Sequence, residues 1–165
     1  MEDKDLRINT GLKGFRLLEA LGEVDEERIS GTRRCAADPA YLGVECLAQL
    51  GAWHVRFLTD FQRHAFLLKI NRCLLPRQEV LEGTYRFAGR LLSRSQGAFS
   101  YELTAKQGKE IEFMGIFLYA AVDYDERFPA QDLRDYYIKV FSCLQNAAGN
   151  GSASGQRRGS SAPRP

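Results

Sequence analysis

The chain has 165 residues, 44% of them hydrophobic and 11% aromatic, which is enough to bury one good core and hardly two. Its 23 Lys and Arg stand against 21 Asp and Glu, and Arg157, Arg158 and Arg164 near the end meet no acid, so the remainder is close to neutral and offers no nucleic-acid groove. Cys35, Cys46, Cys73 and Cys143 lack the close pairs of a zinc site. The charged start (Glu2, Asp3, Lys4, Asp5) has no apolar signal region, and no stretch reaches the roughly 18 uncharged apolar residues of a membrane span. The expectations are therefore one domain with reduced thiols in a cytoplasm, no membrane span and no nucleic-acid partner.

From Gly14 to Ala36 the chain reads as a hairpin. FRLLEALGEV and RISGTRRCA flank the charged Asp25-Glu26-Glu27, with apolar Phe15, Leu17 and Leu18 before the turn and Ile29 after it. Asp38 then suits an N-cap and Pro39 the first turn of a helix, which continues to about Phe61. Leu42, Val44, Leu47, Leu50, Trp53, Val55, Phe57 and Leu58 cannot be gathered onto one narrow stripe, which marks a helix buried by its surroundings.

Strand-like runs follow at Ala65 to Asn71, Val80 to Ser95, Gly97 to Lys106 and Lys109 to Tyr124. Gln96-Gly97 and Gln107-Gly108 supply tight turns, so the runs suit an antiparallel meander. One buried helix followed by such strands is an α+β architecture. Leu133, Tyr136, Tyr137, Val140, Phe141 and Leu144 recur at helical spacing and predict a second helix over 129–146. Its mixed polar face points to docking on the domain or a dimer partner. The Gly/Ser/Arg/Pro-rich tail 147–165 is expected to be disordered. The domain plan is a segment 1–14, a domain 15–128, the helix and the tail.

Pro39, Glu45 and Gln49 carry a resemblance. The text PAYLGVECLAQLGAW (Pro39 to Trp53) resembles the central-helix signature of the 3-hydroxyacyl-acyl carrier protein dehydratases, in which an acid follows a Pro by six residues and a Gln follows the acid by four. The resemblance extends over roughly Leu17 to Tyr124. It implies a hotdog fold, a curved antiparallel sheet wrapped around a long central apolar helix, here with an added C-terminal helix. Two departures stand out. Ala40 replaces the family's helix-opening Gly, although Gly43 precedes the acid by two. The family's catalytic His should lie fourteen residues before the acid, where this chain has Gly31, and no His-Phe-Pro motif exists.

Dehydration of a 3-hydroxyacyl thioester needs a base for the C2 proton, an acid for the leaving hydroxyl and donors for the enolate-like oxygen. In the family the His and the helix carboxyl come from opposite subunits, so the resemblance assigns Glu45 as the retained acid. Gln49, one turn on, orients it or satisfies a buried polar group. Free backbone N–H groups at the helix start, around Leu42, Gly43 and Val44, are candidates to polarise a thioester carbonyl. A plainer reading pairs Glu45 with Arg33, Arg34 or Arg72 as a structural remnant.

Neither histidine replaces the missing one. His54 stands nine residues after Glu45, which at about 100° per residue places it on roughly the opposite helix face; it reads as structural, and His64 as a surface residue. Asp123, Asp125 and Glu126 beside Arg127 read as a solvated turn rather than a metal site, and Cys46 and Cys73 as small core residues.

These readings converge on a dehydratase-like protein of fatty-acid or polyketide-type lipid metabolism. An acyl thioesterase in which Glu45 activates water, and a non-catalytic acyl-binding or partner subunit, stand as alternatives. The expected partners are an acyl carrier protein or coenzyme A thioester and a second hotdog subunit, identical or His-bearing. No cofactor is expected. An acyl tunnel would run along the helix, with its mouth near Leu42 to Glu45.

Overall fold

The computed structural model describes residues 16–151. The expected N-terminal segment 1–14 and the part of the expected tail beyond 151 lie outside the described residues. The elements are β1 (Ala20–Val24), β2 (Arg28–Pro39), α1 (Tyr41–Leu58), β3 (Arg63–Leu74), β4 (Val80–Arg94), β5 (Ala98–Gln107), β6 (Glu110–Asp123) and α2 (Ala130–Gly151). The strands form one six-stranded sheet in the order β1-β2-β4-β5-β6-β3, with every pair antiparallel. The sheet curves around α1. This is the hotdog architecture, with α2 added after it.

Three sequence expectations shift. The strands after α1 do not form a simple four-strand meander. Only β4, β5 and β6 do so, while β3 lies at the far edge against β6, and residues 75–79 carry the chain back to pair β4 with β2. Asp38 and Pro39 do not open the helix. They extend β2, with Pro39 opposite Val80, and Asp38 accepts instead from Arg33 at 2.7 Å. The helix ends at Leu58 rather than near Phe61, because Asp60 and Phe61 take φ of 49° and 56° and the Phe61 N–H closes back on the Arg56 carbonyl at 2.8 Å, a left-handed helix stop. At the other end α2 runs on to Gly151, beyond the expected limit of 146.

Strand alternation sorts the residues as the period of two requires. In β6 the buried Phe113, Phe117 and Tyr119 alternate with half-buried Met114, Ile116 and Leu118. The helix sits close on this face because Gly43 and Gly51 have no Cβ to hold it off: a Cβ at Gly43 would overlap the Phe113 ring, and one at Gly51 would overlap Tyr119. Tyr119 then donates its hydroxyl to the Ala48 carbonyl at 2.9 Å, so the sheet is pinned to the middle of the helix.

The helix is not enclosed by sheet on all sides. Leu47, Leu50, Gly51 and His54 are buried, whereas Tyr41, Glu45, Gln49, Ala52 and Arg56, on the far side, are exposed or half-buried. Part of that far side is covered by α2. Phe141 stacks on Phe57 at 5.9 Å between ring centroids, and the Trp53 ring meets Tyr137 edge-on at 5.8 Å. The helical stripe read in 129–146 is thus the docking face of α2.

Candidate active site

Glu45 projects from the first half of α1 on the face turned away from the sheet, and the residue is half-buried. Gln49, one turn on, donates its Nε2 to Glu45 Oε1 at 3.4 Å. The Gln49 oxygen accepts the Leu17 N–H at 3.1 Å. The expected pairing of Glu45 with an arginine is not what the structure holds. Arg33 gives its Nε and Nη2 to Asp38 (3.2 and 2.7 Å) and its Nη1 to the Leu17 carbonyl (2.7 Å), and neither Arg34 nor Arg72 forms an ion pair among the described residues. Burial is the largest single influence on the Arg33 charge and opposes it, but Asp38, Cys46 and Cys35 together outweigh it and raise the guanidinium's pKa.

The candidate donors at the helix start are partly spent. Gly43 donates its N–H to the Ala40 carbonyl at 3.0 Å, and Leu42 and Gly43 are buried while Val44 is half-buried. The helix start has no side-chain cap and no acid in its first turn, so its dipole is not neutralised there.

Gly31, where the resemblance would put a histidine, faces the helix inside β2. A Cβ there would lie 3.0 Å from the Ala20 carbonyl oxygen and 3.2 Å from Leu50 Cδ1, with Leu18 next. Leu50 is five residues from Glu45, about 140° round the helix. The position faces core on a different side of α1 from the carboxyl, and a side chain there would press on the Ala20 carbonyl and Leu50.

The two histidines sit elsewhere. His54 is fully buried, with Nε2 2.7 Å from the Asp25 carbonyl oxygen; burial pushes its pKa down, so it anchors the β1–β2 turn to the helix as a neutral ring. His64 is not on the surface as expected. It is 8% exposed, stacked on Phe128 at 5.1 Å and 3.3 Å from the Tyr137 hydroxyl. Burial, and next the Arg56 charge, push its pKa down to about 4.

Cys46 is a core thiol pushed up to about 12 by burial, and Cys35 is raised by the same cause, so neither is a ready nucleophile. Cys73 is only half-buried, unlike the core residue expected. Asp125 caps the turn before α2, accepting the Arg127 and Phe128 N–H groups at 2.9 and 3.0 Å, and Asp123 pairs with Arg63. Among the described residues no group of three or more His, Cys, Asp and Glu could hold a metal ion, and no helix is long and apolar enough to cross a membrane. A groove of about 470 Å³ opens between β3 and β6, lined by Arg72, Cys73, Leu74, Met114, Gly115 and Ile116. None of Leu42 to Glu45 lines it, so it is not the tunnel expected along the helix.

The sequence missed how the carboxyl is held. Leu17 reads only as an apolar strand residue, and Arg33 as one of three possible partners of Glu45. The chain path that sets Leu17 between Arg33 and Gln49 becomes visible only in three dimensions.

No protein-family model matches the chain, and no curated protein matches it. Solved structures do. A mutant of thioesterase PA1618 from Pseudomonas aeruginosa is similar at a TM-score of 0.55 and 11% identity, over 62% of this chain and 80% of that one. One chain of the dehydratase heterocomplex ApeI:P from Xenorhabdus doucetiae is similar at a TM-score of 0.55 and 15% identity, over 72% of this chain and 90% of that one. The putative thioesterase YhdA from Lactococcus lactis is similar at 0.50 and 18%, over 58% and 83%. At these identities the likeness concerns the fold.

Proposed function

We propose that this chain is the carboxyl-bearing half of a 3-hydroxyacyl-thioester dehydratase whose histidine comes from a second hotdog subunit. The carrying observation is the Glu45–Gln49 pair, presented on the outer face of α1 with no imidazole on that face. Glu45 is the acid for the leaving hydroxyl, and Gln49 its support. The unneutralised start of α1 is the place for a thioester oxygen, with Leu42, Gly43 and Val44 around it. A base for the C2 proton is still needed, and His54 and His64 are both engaged inside this chain. That one dehydratase similar in fold is a complex of unlike chains supports a split arrangement. The edge strand β3, with Leu67 and Leu68 exposed, offers unpaired backbone for a partner. The substrate is an acyl group on a carrier protein or coenzyme A.

The competing reading, an acyl thioesterase with Glu45 activating water, draws on the thioesterases among the similar folds. Mass spectrometry of 3-hydroxyacyl and saturated acyl thioesters separates the two. Loss of one water, abolished by Glu45→Gln while acyl binding and folding persist, is the result expected. Release of free acid, abolished by the same substitution, would replace the dehydratase reading with the hydrolase. Turnover that survives Glu45→Gln would end both.

A further inference from the structure

Four hydrogen-bonded links run from the edge of β2 to the Glu45 carboxyl. Asp38 holds Arg33 (2.7 Å), Arg33 Nη1 donates to the Leu17 carbonyl (2.7 Å), the Leu17 N–H donates to Gln49 Oε1 (3.1 Å), and Gln49 Nε2 donates to Glu45 (3.4 Å). The Arg33–Asp38 pair is largely out of water, with side chains 16% and 21% exposed. We propose that Arg33 is a positioning residue for the Glu45 carboxyl, acting through the Leu17 backbone and the Gln49 amide.

Hydrogen-bond direction decides how the Gln49 amide is turned. A backbone N–H can only donate, so the Gln49 end facing Leu17 must be its oxygen. The NH₂ end is then turned to Glu45, where it can donate to a carboxylate. Were the amide reversed, its oxygen would face the carboxyl oxygens and repel them. The place of Leu17 therefore helps to fix the Gln49 direction. Leu17 is gripped at both backbone groups, by the helix through its N–H and by β2 through Arg33. Two further contacts steady it: Leu17 and Leu18 are buried in the core, and the Glu19 N–H donates to the Thr32 carbonyl at 2.9 Å. Without the guanidinium, the Leu17 carbonyl and the Asp38 carboxyl both lose a charge-assisted bond, and the strap is freed at the end nearest Gln49. The kinetic consequence rests on Glu45 being the acid proposed above; the structural link does not.

The test is a double-mutant cycle between Arg33→Met and Gln49→Leu, read in two ways. The first needs no substrate: the Gln49 side-chain amide resonances of the isotope-labelled full chain, with hydrogen exchange of the Leu17 N–H. Arg33→Met should shift the Gln49 amide signals and speed Leu17 exchange, and Asp38→Asn, which keeps the fold's shape, should give a smaller shift in the same direction. The second is turnover by the full chain with its His-bearing partner. There Arg33→Met should lower kcat by about tenfold with KM little changed, since a displaced acid costs the chemical step rather than binding. The double variant should be no slower than Gln49→Leu alone. Gln49 resonances unmoved by both Arg33→Met and Asp38→Asn would overturn the proposal whatever the kinetics. Rate losses that multiply in the double variant would overturn it too. Glu45→Gln that leaves turnover intact would sink the catalytic assignment separately, with the resonance measurement still reporting the strap.

Discussion

The outer face of α1 carries two charged residues, Glu45 in its first half and Arg56 in its second, and the fold treats them in opposite ways. Arg56 is sealed. Its guanidinium lies 4.1 Å from the centre of the Tyr137 ring and 5.1 Å from that of Trp53. It forms no ion pair among the described residues, and its Nε has no hydrogen-bond partner. Burial pushes its pKa down, and aromatic faces stand where a carboxylate would be expected. Glu45 lies beyond the ring contacts of α2, half-buried, with a neutral amide beside it and a structured strap behind the amide. A cation closed over by aromatics serves docking. The Glu45 carboxyl is met by an amide where Arg56 is met by rings.

The largest expected effect is on the sealed half. Phe141 meets Trp53, Phe57 and Phe61, and Phe141→Ala should cost about 3–5 kcal/mol in urea unfolding. A loss under about 1 kcal/mol would mean that α2 does not hold that end of the helix. Next comes Arg33→Met, which leaves Asp38 mostly buried and without its partner; about 2–4 kcal/mol should be lost, and an unchanged urea midpoint would show the pair to be solvated.

The sealed half should also respond to pH. His64 keeps a pKa of about 4 in the fold against 6.5 as its ordinary value, so between these values the unfolded chain binds the extra proton. Its contribution to stability is whole above about pH 6.5, and is lost as the pH falls towards 4. Comparing urea midpoints across this range for the native chain and His64→Gln should show a shallower acid loss in the variant. Equal slopes would contradict the assignment. Arg56→Met should be smallest, within about 1 kcal/mol of neutral, because a cation faced by aromatic rings rather than by a carboxylate is exchanged for an apolar side chain of similar length. A loss as large as that of Arg33→Met would erase the contrast between the halves.

How much of this was legible depended on the range of the interaction. The hairpin, the central helix, the β4–β6 strands and the apolar stripe of α2 follow from periodicity and turn residues, which are local. Asp38 and Pro39 carry a good local helix-start signal that lost to two longer-range demands, the Arg33 ion pair and the ladder with β4. The position of β3 at the far edge has no local signature, because its apolar run suits either neighbour. His64 follows the helix in a stretch with Arg63 before it and reads as surface; α2, arriving from far along the chain, is what buries it. At the candidate site, Glu45 and Gln49 were named by the family resemblance, and the structure sets them one turn apart with Gln49 donating to Glu45. The strap behind them was not legible, since it joins residues 17, 33 and 49 through backbone groups that every sequence has.

The central claim is that the carboxyl of Glu45 is half of a site that another subunit completes. Its most direct test is the rate of water loss from a 3-hydroxyacyl thioester, measured for the chain alone, for its purified complex with a His-bearing hotdog subunit, and for that complex carrying Glu45→Gln. The account predicts turnover only in the unsubstituted complex. Full activity of the chain by itself, or a complex indifferent to Glu45→Gln, would contradict it.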